Sequence, residues 1–161
     1  MDEATRAYIA GFLDGDGSII LQLKPRADYV YGYQIKATVS FYQKRSNRHI
    51  LDWLCAQMGL GAVRNRPDNI SEYDIEGLEP VKYVLEVVRP YVVLKARLVE
   101  QVLELLEVIT QTSDVSPKEF LRWAEVVESC QALNYSKRRK HRPEDVRRAL
   151  ESKGYLDPRN D

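Results

Sequence analysis

Apolar and polar positions alternate most regularly in two stretches of the first third of the chain. Over residues 18–24, Ile19, Leu21 and Leu23 fall on one side and Ser18, Ile20, Gln22 and Lys24 on the other, a period of two that predicts a half-buried strand. Pro25-Arg26-Ala27-Asp28 interrupts it. A longer alternation follows, Tyr33, Ile35, Ala37, Val39 and Phe41 opposing Gln34, Lys36, Thr38, Ser40 and Tyr42, so the two runs read as an antiparallel pair. Before them, residues 8–13 form a helical run with Ala7, Ala10, Gly11 and Gly15 about one turn apart. Glycine inside a helix costs on the order of 1 kcal/mol relative to alanine, so Gly11 predicts a close neighbour on that face, and a second helix is the natural one.

Helical spacing returns over residues 48–58, stopped by Gly59, and a second hairpin is expected from 61–66 and 70–75 around Pro67-Asp68-Asn69. Helices are expected at 78–88, ended by Arg89-Pro90, and at 92–111. Ser116-Pro117-Lys118-Glu119 carries a helix start, with Ser116 as cap and glutamate three residues on, followed by helix to 133 and a last short helix at 143–152. The order is helix, two strands, helix, two strands, then several helices.

At 161 residues and 44% hydrophobic, the chain suffices for one compact domain, 1–161, with a core over 1–112 and C-terminal helices with a basic loop over 113–161. It contains no run of about 18 uncharged apolar residues, and Met-Asp-Glu-Ala-Thr does not open a basic region followed by an apolar stretch. A soluble intracellular protein without membrane contact is expected. Cys55 and Cys130 lie in helical patterns without close spacing, which supports neither a disulfide framework nor a zinc site. Formal charge is balanced, 24 basic against 24 acidic residues, which taken alone argues against a polyanionic partner. Distribution reverses that conclusion. Eight basic residues face two acids between Lys24 and Arg66, whereas seven acids face two basic residues between Glu100 and Glu128, a segregation that suits a nucleic-acid face with an acidic back.

The candidate chemistry begins where the first helix ends, in Asp14 and Asp16. There the helix macrodipole is negative and a carboxylate is disfavoured by roughly 0.3–1 kcal/mol. A bound cation would remove the conflict; a solvated helix end followed by a turn is the alternative that spacing leaves open. Asp14, Asp16 and Ser18 at alternate positions suggest a calcium loop, but that loop needs glycine sixth and glutamate twelfth, where this chain has Ile19 and Pro25. On the strands, Gln22, Lys24, Arg26, Gln34 and Lys36 are able to project together, with Thr38 and Ser40 further along. Arginine or lysine reads guanine, glutamine reads adenine, and threonine or serine takes several partners; an ordinary solvated sheet face is the alternative. Arg64 and Arg66 alternate on the second hairpin, and Glu72 and Asp74 are expected to share their side. The run from Asn134 to Pro143 has cations at Lys137, Arg138, Arg139, Lys140 and Arg142 and no apolar period, as in a phosphate-binding segment or a solvated loop.

The decapeptide Ile9-Ala10-Gly11-Phe12-Leu13-Asp14-Gly15-Asp16-Gly17-Ser18 closely resembles the signature of the LAGLIDADG homing endonucleases, matching at Ala10, Gly11, Asp14, Gly15, Asp16 and Gly17. The element order is similar over nearly the entire chain. The resemblance implies an α+β fold with an αββαββα core and extra C-terminal helices, its antiparallel sheet forming a DNA-binding saddle. It implies that Asp16 binds metal, with the Gly15 carbonyl as a further ligand, that Gln43 in Phe41-Tyr42-Gln43-Lys44 orients the water network, and that Lys95 in Pro90-Tyr91-Val92-Val93-Leu94-Lys95 stabilises phosphate charge. From spacing alone Gln43 is a strand end and Lys95 a helix-start cation. The motif occurs once, and single-motif members of the family act as homodimers, which implies a two-fold interface at Ala7, Ala10 and Gly11 and a roughly palindromic duplex target. Two departures stand out: Asn47 occupies a position, four after the amide, where relatives carry a basic residue, with Arg45 and Arg48 nearby; and the hairpin around Pro67 differs by about a residue in length. The implied activity is magnesium-dependent, site-specific cleavage of double-stranded DNA that mobilises an intron or intein, in a prokaryotic cytoplasm or an organelle. Manganese is an expected substitute, and calcium is expected to bind without supporting cleavage. The rival is a non-cleaving RNA-splicing maturase or DNA-binding regulator of the same fold, which would tolerate loss of Asp16.

Overall fold

The computed structural model describes residues 1–134, 139–157 and 159. Its elements are α1 (Glu3–Asp16), β1 (Gly17–Pro25), β2 (Tyr33–Lys44), α2 (Arg48–Met58), β3 (Ala62–Asn65), β4 (Ile70–Glu76), α3 (Leu78–Val88), α4 (Ala96–Gln111), α5 (Pro117–Ala132) and α6 (Pro143–Ser152), with a short 3₁₀ turn at Arg45–Asn47 before α2. The strands form one antiparallel sheet in the order β1-β2-β4-β3, which gives the expected α+β class. No described helix is long and apolar enough to cross a membrane.

Contacts gather the chain into two compact units, residues 1–20 with 37–107 and residues 21–36 with 108–161. The far part of the first hairpin, residues 21–36, is gathered with the C-terminal helices. Two hydrogen bonds within the second unit show why: the Gln131 side-chain amide donates to the Leu21 carbonyl at 2.8 Å, and the Tyr31 hydroxyl donates to the Val115 carbonyl at 2.6 Å.

In the first unit the alternation of β2 does what it predicts, burying Ala37, Val39 and Phe41 with Tyr73 and Ile75 of β4, Ile9 and Leu13 of α1, Leu51 and Leu54 of α2, and Val84, Leu85 and Val88 of α3. Each large side chain so buried contributes about 1.5–3 kcal/mol. Phe41 stacks on Tyr73 at 5.7 Å and meets Phe12 at 5.9 Å. Gly59 ends α2 in the left-handed conformation, φ 67°. Gly61 is required for a second reason, since a Cβ there would lie 2.2 Å from the Asp74 carbonyl oxygen. The second hairpin pairs Ala62 with Asp74, Arg64 with Glu72 and Asn65 with Ser71, and Arg66 N–H donates to the Ile70 carbonyl at 2.7 Å. Its loop is thus Pro67-Asp68-Asn69, with Asn69 at φ 62°, the three-residue turn that needs a left-handed third position.

α3 and α6 start and stop as their spacing predicts, but α4 begins at Ala96 rather than 92. Val92 is buried, but Val93 and Leu94 are 83% and 62% exposed, so apolar burial stops three residues short of Lys95. In the second unit, Tyr31 packs against Phe120 and Tyr155 at 5.4 and 5.3 Å, and Leu121, Trp123, Val127, Cys130, Val146 and Leu150 are buried. Ser116 caps α5 as expected, accepting the Glu119 N–H at 3.2 Å.

Candidate functional site

The end of α1 is built from two acids with different surroundings. Asp14 receives the backbone N–H groups of Val93 at 2.7 Å, Leu94 at 3.0 Å and Lys95 at 3.0 Å, and its carbonyl accepts the Lys95 ammonium at 2.6 Å. Burial pushes the Asp14 carboxyl up, but the three N–H donors outweigh it and hold the group below the ordinary carboxylate range. The macrodipole conflict at Asp14 is therefore met by peptide dipoles and by the Lys95 ammonium on its carbonyl. Burial lowers the Lys95 ammonium pKa, against the opposing pull of Asp14 and Asp16.

Asp16 is exposed. The Gln43 side-chain amide, from the end of β2, donates to its Oδ2 at 2.9 Å, and Asn47 donates to Gln43 Oε1 at 3.4 Å. The helix end thus brings Asp16 and Gln43 into contact directly, and holds Lys95 two residues back along the same helix through Asp14. Asn47, which spacing did not single out as a partner, reaches the Gln43 amide oxygen through that longer bond. Arg45 and Arg48 turn elsewhere: Arg45 donates to the Arg66 carbonyl at 2.5 Å, and Arg48 donates to Asp52, to Asn65 Oδ1 and to the Val63 carbonyl. Gly15 is exposed, with open space where a Cβ would stand. Among the described residues no three histidines, cysteines or acids gather closely enough to hold a metal ion by themselves.

Register assembles the second cluster of this unit. Arg64 lies opposite Glu72, and Ser40 opposite Asp74. Arg64 donates to Glu72 at 2.5 Å and to Asp74 at 2.7 Å, Arg66 to Glu72 at 3.4 Å and to Asp68 at 2.8 Å, and the Ser40 hydroxyl to Asp74 at 2.5 Å. The Arg64 side chain is 65% exposed above carboxylates that are only 11% and 12% exposed. Thr38 and Ser40, expected on an open polar face, are buried, Ser40 beneath the Asp74 carboxylate that Arg64 holds.

In the second unit Arg26 grips Asp28 with two hydrogen bonds, 2.8 and 2.6 Å, reaches Gln34 at 3.3 Å, and lies 5.1 Å over the Tyr29 ring. Those bonds hold the Asp28 carboxyl at about 2. Gln22 and Lys24 line a cavity of about 280 Å³ with Leu23, Gln131, Arg139, Lys140 and His141. Arg139 contacts Glu128 at 3.4 Å. Lys140 and Arg142 are exposed, the latter with its backbone N–H donated to Asp145 at the start of α6, and Lys36 is half-buried on β2. Lys137 and Arg138 lie outside the described residues.

The small residues of α1 divide between two faces. Ala7 and Gly11 are exposed, with Ala4 and Gly15 in line with them, and a Cβ added at Gly11 would meet nothing within the protomer. Ala10 is fully buried beside Ile9 and Leu13, so its expected place on an exposed interface is corrected: it packs into its own protomer's core. Beside that face, Ala4, Thr5, Tyr8, His49, Ile50 and Trp53 line an open apolar groove of about 500 Å³, with Tyr8 edge-on to Trp53 at 5.5 Å.

The sequence profile of the LAGLIDADG endonucleases matches residues 9–105, from the motif helix through α4. The chain belongs to that family. Among LAGLIDADG endonucleases it is 38% identical to the DNA endonuclease I-CreI of Chlamydomonas reinhardtii over 145 residues, 90% of this chain and 88% of the relative, and 30% identical to the DNA endonuclease I-CvuI of Chlorella vulgaris over 96% and 95%. The crystal structure of I-CvuI with the I-CreI target in 2 mM Mg, in which the DNA is not cleaved, superposes with a TM-score of 0.89 over 96% of this chain and 98% of that one, at 30% identity. I-CvuI with its own target in 2 mM Ca gives 0.88.

Proposed function

We propose that this LAGLIDADG chain is a site-specific DNA endonuclease that makes a double-strand break in a long, roughly palindromic target by divalent-metal-dependent hydrolysis, and that it works as a homodimer. The observation that carries this reading is the contact of Gln43 with exposed Asp16 while Lys95 is held at the same helix end. Asp16 and the Gly15 carbonyl offer hard oxygen ligands, few in number, which fits magnesium, an ion that keeps several of its waters; manganese would substitute and calcium would bind without supporting cleavage. A bound ion would supply charge neutralisation at the scissile phosphate. Gln43, in contact with Asn47, holds the Asp16 carboxylate and orders water beside it. Lys95 presents a cation to the phosphate. Arg64, Arg66, Glu72, Asp74, Arg26, Gln34, Gln22 and Lys24 supply base-reading groups, and Lys140 and Arg142 supply phosphate contacts.

A second copy supplies what one protomer lacks. The exposed Ala4, Ala7, Gly11 and Gly15 line of α1 permits close helix approach, and the neighbouring exposed apolar side chains Tyr8, Trp53, Val93 and Leu94 would be covered by it. Two Asp16 carboxylates would then meet at the two-fold axis.

A randomised duplex pool exposed to purified protein, once in magnesium and once in calcium, tests the reading. Near-palindromic molecules retained in both and cut at one position in magnesium are expected. Specific retention without cutting in any divalent metal would replace it by a DNA-binding regulator, and retention of structured RNA alone by a maturase.

A further inference from the structure

We infer that Asp14 is a positioning residue that sets the place of Lys95 relative to Asp16. This rests on the reading of Lys95 as a phosphate-facing cation. Three consecutive N–H groups, from Val93, Leu94 and Lys95, converge on the two oxygens of one carboxylate, the nest by which successive peptide N–H groups hold an anion. Charge-assisted bonds of this kind are about twice as strong as neutral ones. Apolar side chains fix only the near end of the segment, at buried Val92; Val93 and Leu94 are largely exposed and regular helix begins only at Ala96. Lys95 is anchored at both ends on the same residue, its N–H on the Asp14 carboxylate and its ammonium on the Asp14 carbonyl at 2.6 Å. Asp14 stands two residues before Asp16 on α1, so the helix that carries Asp16 also dictates where the ammonium sits.

The alternative is that Asp14 merely ties α4 to α1. A mutant cycle on the full-length protein separates the two, using single-turnover cleavage of the duplex target in magnesium and equilibrium binding in calcium. Asp14→Asn is expected to bind within about 3-fold of wild type and to cleave about 10–100-fold more slowly, and Asp14/Lys95 double replacement (D14N with K95A) to be no slower than Lys95→Ala within about 3-fold. A double variant slowed by the product of the two single effects overturns the inference, with Lys95's own role intact. Lys95→Ala cutting at the wild-type rate overturns the prior reading of Lys95, and the inference with it. Hydrogen exchange on Asp14→Asn supplies an independent measurement: faster exchange confined to the amides of residues 93–95 is expected, whereas loss of protection through α4 makes Asp14 purely structural. Should Asp14→Asn fail to fold, Asp14→Glu, which keeps the charge but moves it by one methylene, is to be run through the same cycle, with the same non-additivity expected and a multiplicative result overturning the proposal.

Discussion

The end of α1 and the charged roof over β2 and β4 both hold carboxylates close to basic groups, and they satisfy them in opposite ways. At the helix end Asp14 is held by three backbone N–H groups, and Asp16 is left exposed with a side-chain amide from Gln43. On the strands Glu72 and Asp74 are held by the exposed guanidinium of Arg64. Backbone donors are fixed by the fold and cannot be exchanged. The 65% exposed Arg64 side chain can turn to a base edge while Arg66 stays on Glu72 and Ser40 on Asp74, so the nearly buried carboxylates are not left without a partner. The comparison assigns geometric constancy to the helix end, where chemistry would take place, and adaptability to the strand face, where sequence would be read.

The sharpest way to break this comparison is at the exposed acid. Asp16→Asn is expected to bind the target in calcium as wild type does and to lose cleavage by on the order of 10³-fold or more; wild-type-like cutting would remove Asp16 from the site. Close behind is Gly11→Leu, at a position where an added Cβ finds open space; it is expected to keep the fold, measured by circular dichroism, while sedimentation shows monomer and cleavage is lost. Gln43→Ala leaves Asp16 without its amide donor, and cleavage should fall by about 10–100-fold with little change in affinity. If affinity fell instead, Gln43 would belong with the base readers. Arg64→Ala should leave the cleavage rate on a tolerated target nearly intact and relax discrimination at one base-pair position in each half-site by roughly 10-fold, read by sequencing cut products from a pool. The smallest effect is expected at Arg26→Ala: Asp28, now at about 2, should titrate in the ordinary carboxylate range when followed by NMR. The sign follows from removal of the cation that favours the ionised form.

Much of the fold was legible because it is local. Period-two alternation placed β1 and β2, Gly59 and Ser116 marked a helix stop and start, and α3 and α6 run over the residues their spacing predicts. Ala10 shows how a local pattern misleads by a small angle: three residues after Ala7, it still turns inward with Ile9 and Leu13, and the exposed line runs through Ala4, Ala7, Gly11 and Gly15. The first hairpin shows another limit. Alternation runs unbroken along each of its strands, yet its far part joins the second unit through the Gln131–Leu21 and Tyr31–Val115 hydrogen bonds, between residues 110 and 84 positions apart that no periodicity announces.

By itself the sequence determined the elements, the segregation of charge and the motif acids, since backbone propensity, capping and one-sided burial depend on neighbours a few residues apart. Only the tertiary structure decided what each acid bonds to. Asp14 and Asp16 look alike in the chain, and a helix end alone would disfavour both. What separates them is a segment about 80 residues on, brought to Asp14 by the packed core, whose three N–H groups reach one carboxylate and leave the other to Gln43 and solvent.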